Sequence, residues 1–321
     1  MSGTGHVLVL AGVFDPTADR VIEELNRRAV PVFRADLADF PANLSISARL
    51  AGNRWSGALD NPWRTLDLMS VRSVFYRRPG RPQFPPDMHA EARKVAMTEA
   101  RYGLGGVLAA LPARWLPPLG PAADAEYKPY QLRIAVECGL FVPETIVTNV
   151  PAEARAFARK TGKVVHKPFF HVRGTLDGES AAVYTTLVDP DDLFHPDVGT
   201  TAHLFQAWVP KAYEVRLTVV GSRMFAAEIH ADSDEGHVDW RSDYDSHTYR
   251  ICTPPEEVAL GVRRMLDVLR LPYGAFDFVV TPQGQWWFLE VNPSVQWGFI
   301  EYATGLPITN AVCDYLEGAE E

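Results

Sequence analysis

No apolar run in this chain is long enough to cross a bilayer, which takes about 20 residues as a helix, so a spanning segment is excluded and no membrane partner is expected. Cysteine is scarce: Cys138, Cys252 and Cys313 are scattered and odd in number among 321 residues, without the paired spacing of a metal site. Reduced thiols are the economical assignment, and no disulfide is expected. The opening Met1-Ser2-Gly3-Thr4-Gly5-His6 lacks the basic flank and cleavage pattern of a signal peptide, so the expected setting is cytoplasmic. The histidines include no His-x-x-x-His pair and no ordered Ser/His/Asp set, which leaves His166, His171 and His230 as ordinary polar or core positions. Excess positive charge is missing too. A net charge of −9 disfavours nonspecific nucleic-acid binding, although Arg77, Arg78 and Arg81 could form a local basic cleft.

What the chain does have is a late cluster of oxygen donors on hydrophobic strands. Asp277 lies inside Ala275-Phe276-Asp277-Phe278-Val279-Val280, and Glu290 and Asn292 end the run Trp286-Trp287-Phe288-Leu289-Glu290-Val291-Asn292-Pro293. Residues two apart on a strand point to the same face, so Glu290 and Asn292 are expected side by side. Gln283-Gly284 supplies a hairpin turn that folds Asp277 back beside them. Two carboxylates and a carboxamide form a hard oxygen set, which suits magnesium completed by water and nucleotide phosphate better than it suits zinc. The competing reading is an edge-strand polar pair.

The rest of the chain reads as α/β. His6 to Ala11, a helix from about Thr17 to Arg28 and a strand at Val32 to Arg34 form a βαβ beginning. Its first strand runs into Gly12-Val13-Phe14-Asp15, which lacks the three-glycine pattern that brings backbone close to pyrophosphate. A hairpin around Gly52-Asn53 and a strand at Val71 to Tyr76 follow, then a helix from about Asp87 to Ala110. Pro112, Pro117, Pro118 and Pro121 mark the first boundary. Beyond it come a helix from about Tyr130 to Cys138, a helix over Pro151 to Thr161, and a strand carrying Lys167. A helix whose Val258, Val262, Met265, Leu266 and Leu269 share one apolar face is expected to back the metal strands. The expected lobes are 1–120, 121–205 and 206–321.

The order of these pieces resembles the ATP-grasp superfamily and, more narrowly, the graspetide synthetases, ligases that cyclise ribosomal peptides in the manner of the microviridin ligases. The carriers are Tyr76-Arg77-Arg78-Pro79, Lys128 with Gln131-Leu132-Arg133, Val142-Pro143-Glu144-Thr145 and Lys167-Pro168. Further along come Gln206-Ala207-Trp208-Val209-Pro210-Lys211, Tyr213-Glu214-Val215-Arg216, Asp239-Trp240-Arg241 and Glu290-Val291-Asn292-Pro293 with Gln296-Trp297. The resemblance implies an ATP-grasp fold whose lobes enclose ATP and Mg2+. It implies that Lys128 and Lys167 contact phosphates or the adenine side, that Gln206, Trp208 and Val209 form the interlobe hinge against adenine, and that Glu214 accepts from ribose hydroxyls. Plainer readings are a solvated charge for each lysine, core packing for Trp208 and Val209, and an exposed strand carboxylate for Glu214.

Arg216 and Arg241 offer planar forks that hold two oxygens at once, which a lysine cannot match. Arg216 is assigned to the transferred phosphate, and Arg241 to the acyl phosphate or the acidic side chain of a peptide; an ion pair to Asp239 or Asp243 is the alternative. Arg77 and Arg78 are expected to face substrate, against a solvated basic rim. The implied chemistry is ATP-dependent phosphorylation of Asp or Glu carboxylates in a precursor peptide, then attack by a Ser or Thr hydroxyl or a Lys amine. Homodimerisation is a family expectation. The run Phe169-Phe170-His171-Val172-Arg173-Gly174 is bulkier than the superfamily's glycine-rich phosphate loops and leaves Arg173 only a candidate contact. The alternative function is a carboxylate-amine ligase acting on a free amino acid, small peptide or protein tail; a non-catalytic peptide binder is a third.

Overall fold

The computed structural model describes residues 5–169, 173–176, 179–182, 184–189, 191–231, 247–294 and 297–319. The N-terminal part comprises β1 (His6–Ala11), α1 (Pro16–Arg27), β2 (Val32–Ala35), β3 (Ser45–Ala51), β4 (Arg54–Asp60), β5 (Thr65–Asp67), β6 (Val71–Arg77), α2 (Ala90–Ala109) and β7 (Arg114–Leu116). A parallel sheet of order β2-β1-β6-β7 carries the expected βαβ start, while β3, β4 and β5 form a separate antiparallel sheet. Asp15 caps α1, its Oδ1 accepting from Ala18 N at 2.9 Å, and Pro16 fills a first-turn position where a missing N–H costs nothing.

The middle of the chain holds α3 (Leu119–Asp124), α4 (Lys128–Glu137), β8 (Thr145–Thr148), α5 (Pro151–Thr161), β9 (Val164–Lys167), β10 (Arg173–Leu176), β11 (Glu179–Ala182), β12 (Thr186–Leu187) and β13 (His203–Ala207). Four of these strands make a sheet of order β12-β9-β13-β8, covered by Ala154 and Phe157 of α5, while β10 and β11 pair as a hairpin. Helix α4 begins two residues earlier than the sequence predicts. Pro129 does not delay it, because the first turn is where proline is tolerated, and Lys128 is thereby drawn onto the helix.

The remaining elements are β14 (Tyr213–Val220), β15 (Arg223–Ala231), β16 (His247–Cys252), α6 (Glu256–Leu269), β17 (Tyr273–Val280), β18 (Trp286–Asn292), α7 (Gly298–Thr304) and α8 (Ile308–Glu317). Strands β14 to β18 form an antiparallel sheet of order β16-β15-β14-β17-β18. Its two faces are built by alternation. Val215, Leu217, Val219, Phe276, Phe278 and Val280 meet the expected apolar stripe of α6, Val258 to Leu269, in one core. Leu132, Ile134 and Ala135 of α4 share that core, so this helix is fastened to the C-terminal sheet. The opposite face carries Glu214, Arg216, Asp277 and Glu290. At one end of that face Val220, Phe225, Ile229 and Tyr273 pack with α1, α8 and one face of the N-terminal sheet. No helix among the described residues is long and apolar enough to cross a membrane.

An ion cluster joins α1 to α8. Arg28 reaches Glu24 at 2.6 Å, Asp314 at 2.5 Å and Glu317 at 2.8 Å, and Glu24 also accepts from Arg27 at 2.7 Å. Hydrogen bonds from Arg27 and then Arg28 hold the Glu24 carboxyl down at about 2. Burial pushes Asp314 up, but Arg28 and Arg223 outweigh it and leave its carboxyl below the usual range. A carboxyl whose pKa is lowered by folding stabilises the fold above its unfolded value and ceases to as pH falls through the folded one. The stabilisation due to Glu24 is therefore expected to be complete above its ordinary value of 4.5 and to disappear toward about 2. Urea unfolding midpoints followed through this window should fall less steeply for Glu24→Gln than for the wild type; equal slopes would contradict the assignment.

Candidate active site

Strands β17 and β18 are joined by a tight turn in which Gly284, at φ +80°, donates from its N–H to Thr281 O at 2.8 Å. Pairing runs Val280 with Trp286, Val279 with Trp287 and Phe278 with Phe288, then resumes with Asp277 opposite Glu290 and Ala275 opposite Asn292. Leu289 is the extra residue of a bulge. Without it, plain alternation would turn Glu290 into the core; with it, Phe288 and Val291 both face the core while Glu290 and Asn292 share the Asp277 side.

The three predicted ligands converge. Asn292 Nδ2 lies 3.4 Å from Asp277 Oδ2 and 3.3 Å from Glu290 Oε1. Each carboxylate also meets a protein cation, Lys128 Nζ at 2.7 Å from Glu290 and Arg216 Nη1 at 3.2 Å from Asp277. Glu290, Asp277 and Arg216 are only 1%, 2% and 4% exposed. The two negative and two positive charges compensate one another in a site where an unpaired charge would be costly. The donor set fits magnesium: two carboxylates and a carboxamide, whose oxygen and nitrogen exchange by a half-turn, leave coordination positions for water and phosphate oxygens.

Beside this cluster, between the middle and C-terminal sheets, opens a cleft. Its lining includes Lys167 from the end of β9, Gln206, Trp208, Val209, Lys211 and Glu214. The Ala207 N–H donates to Glu144 O at 2.8 Å and the Trp208 N–H to Lys163 O at 2.9 Å, tying the exit of β13 to its own lobe. Gln206 is buried, and its Nε2 donates to Thr145 Oγ1 at 2.9 Å, so the side chain bridges β13 to β8 while lining the cleft. Glu214 is buried rather than an exposed strand carboxylate. Lys211, three residues earlier, lies 2.5 Å from it and stacks over the Trp208 ring at 5.5 Å. The role of Lys211 was missed in the sequence, although its place in the Gln206 to Lys211 run and its spacing from Glu214 were both visible.

The arginines divide. Arg216 lies with the metal cluster. Arg77 is turned inward at the end of β6, 1% exposed, with Nε 3.4 Å from Asp15 Oδ2 and Nη1 donating to Ser294 O at 3.4 Å. Burial pulls its guanidinium below the usual value. It therefore joins the N-terminal sheet to the segment just after Asn292 and does not sit on a solvated rim. Arg78 is exposed, with a left-handed φ of +47°. Arg241, with Asp239 and Trp240, lies outside the described residues. Lys128, expected near phosphate, lies on Glu290. Gln131, one turn along α4, was quoted as part of a motif but given no role. Its carboxamide bonds both backbone groups of Val291, between two of the ligands.

Comparison with known proteins agrees with this arrangement. Residues 7–122 match the family model described as the MvdD pre-ATP grasp domain. The fold is similar to that of a Chryseobacterium gregarium RiPP-associated ATP-grasp ligase solved with ADP and a leader and core peptide. There the TM-score is 0.92 and identity 27%, over 99% of this chain and 98% of that one. The macrocyclase MdnB from Microcystis aeruginosa MRC is 32% identical over 97% of this chain and 99% of its own, with TM-score 0.82. MdnC from the same organism, bound to its precursor peptide MdnA, is 26% identical over 98% of this chain and 99% of that one, with TM-score 0.85. No match was found among curated proteins.

The charge pairing has a measurable consequence. Asp277→Asn leaves Arg216 buried without its carboxylate and is expected to cost about 3–5 kcal/mol of unfolding free energy in urea titrations. Arg216→Met should cost a similar amount, and combining the two should recover part of the loss; strictly additive losses would show that the pair is not coupled.

Proposed function

Because the chain belongs to the RiPP-associated ATP-grasp ligases, the family that includes the macrocyclase MdnB, we propose that it is an ATP-dependent macrocyclase of a ribosomally made precursor peptide. The observation that supports this most is the convergence of Asp277, Glu290 and Asn292, compensated by Lys128 and Arg216, beside the interlobe cleft. Three working lobes, 1–120, 121–205 and 206–321, belong to the reading, as do a homodimer and a cytoplasmic setting. In it, Gln206, Trp208 and Val209 hold the adenine end of ATP, Glu214 the ribose, and Lys167 and Lys128 the phosphates. Bound at Asp277, Glu290 and Asn292, Mg2+ would offset phosphate charge.

A carboxylate resists attack at carbon because it is a resonance-stabilised anion. Phosphorylation removes that obstacle: a carboxylate oxygen of a precursor Asp or Glu attacks the γ-phosphorus, ADP departs, and an acyl phosphate forms. In this reading Arg216 holds two of the transferred phosphoryl oxygens with its planar fork, which its position opposite Asp277 supports. Arg77, Arg78 and Arg241 are assigned to the acidic substrate. A Ser or Thr hydroxyl, or a Lys amine, then adds to the acyl carbon; its proton is lost, phosphate leaves, and an ester or amide remains. Enclosure between the lobes protects the acyl phosphate from water.

The test is incubation of the protein with ATP, Mg2+ and the candidate precursor peptide, read by mass spectrometry and ADP release. The peptide is expected to lose one water for each ADP formed, and both signals should vanish in Asp277→Asn and Glu290→Gln. A gain equal to an added residue would identify a carboxylate-amine ligase instead, and ADP release undiminished in both variants would overturn the site assignment.

A further inference from the structure

Strand β18 is the edge of the C-terminal sheet, so alternate backbone groups along it point away from β17 and need a partner from elsewhere. At Val291, the residue between Glu290 and Asn292, that partner is one side chain. Gln131 Oε1 accepts from the Val291 N–H at 2.9 Å, and Gln131 Nε2 donates to the Val291 carbonyl at 2.8 Å. Nε2 also donates to the carbonyl of Ala125, in the connection between α3 and α4. Gln131 is 3% exposed, and its carboxamide thus has both hydrogens and its oxygen engaged away from solvent. A carboxamide carries donor and acceptor side by side as a peptide unit does, so Gln131 behaves as a one-residue strand added to the sheet edge.

The location makes this matter. The bulge at Leu289 interrupts the ladder, and only three pairs, those of Glu290, Val291 and Asn292, follow it before β18 ends. So short a ladder after a bulge constrains the strand weakly by itself. On the other side of the bulge the edge is also covered, by the Phe288 N–H donating to Phe141 O at 2.8 Å and by the packing of Phe141 on Trp287 at 5.6 Å. Lys128 lies three residues before Gln131 on the same helical face, with its ammonium on Glu290. One helix therefore sets both the backbone between two ligands and the charge beside one of them.

We infer that Gln131 is a positioning residue for the metal site: by pinning Val291 on both sides it fixes the directions in which Glu290 and Asn292 leave the strand. The inference rests on reading Asp277, Glu290 and Asn292 as a magnesium–nucleotide site. Glutamate at position 131 would keep an acceptor for the Val291 N–H but set a carboxylate against two carbonyls. Methionine would leave both Val291 groups without a partner. Neither residue supplies the donor–acceptor pair, so the position is specific to an amide.

The test uses the full chain with saturating ADP and Mn2+ as the probe, its binding followed by electron paramagnetic resonance. Gln131→Met is expected to weaken Mn2+ binding by about 10–100-fold, the usual effect of removing a group that orients a metal ligand. Leu132→Ala loosens the packing of the same helix but keeps the Gln131 side chain and its hydrogen-bonding groups for Val291. It should lower the melting temperature yet leave Mn2+ affinity within about twofold of wild type, which a merely structural role for Gln131 would not distinguish. Gln131→Glu should weaken binding in the same direction as Gln131→Met, and it carries the test if the methionine variant does not fold. Folded Gln131 variants that bind Mn2+ as wild type does would overturn the inference. So would a Leu132→Ala loss as large as that of Gln131→Met. A wild-type protein that binds no Mn2+ with ADP would overturn the nucleotide reading itself, and this inference with it.

Discussion

Two buried ion pairs on one face of the C-terminal sheet, Arg216 with Asp277 and Lys128 with Glu290, are the constraint on which the rest of the arrangement depends. Carboxylates this deeply enclosed are stable only beside compensating charge. One cation comes from the neighbouring strand, directly opposite Asp277 in register, and the other from a helix that precedes the middle sheet in sequence. The second pair explains why α4 packs on the C-terminal core: Lys128 must reach Glu290, and Leu132, Ile134 and Ala135 bury the helix where it can.

The same pairing bears on how a ligand enters. A site that is neutral with its own lysine and arginine in place gains a net double positive charge if a bare divalent cation is added, which low-dielectric surroundings disfavour. A divalent cation arriving with a polyphosphate brings its own compensating charge. Lys128 and Arg216 can then turn from the carboxylates to phosphate oxygens while the carboxylates turn to the metal. In the proposed function the ion pairs hold the ligand geometry ready and couple metal affinity to nucleotide, and the cleft lined by Lys167, Lys211 and Glu214 receives the remainder.

Much of this was legible in the sequence because it follows simple periods. The two-residue spacing of Glu290 and Asn292, the glycine turn and the apolar stripe of α6 each imply their geometry directly, and the motif order implied the family. What escaped depends on contacts between distant segments. The phase of Glu290 relative to Asp277 is set by a bulge at Leu289, which no alternation pattern reveals. Nor does the Tyr76-Arg77-Arg78-Pro79 run show that Arg77 meets Asp15 and Ser294 O, which come from distant parts of the chain. The clamp from Gln131 to Val291 spans 160 residues of chain, and only the folded structure shows that a glutamine on an unexceptional helix completes a strand edge.

The most direct test of the central claim is diffraction from crystals grown with ADP and Mn2+, with the metal located by its anomalous signal. The account predicts a peak among Asp277, Glu290 and Asn292, with Lys128 Nζ and the Arg216 guanidinium moved from the carboxylates to phosphate oxygens. A bound nucleotide whose metal lies elsewhere, with Lys128 still on Glu290 and Arg216 still on Asp277, would contradict it.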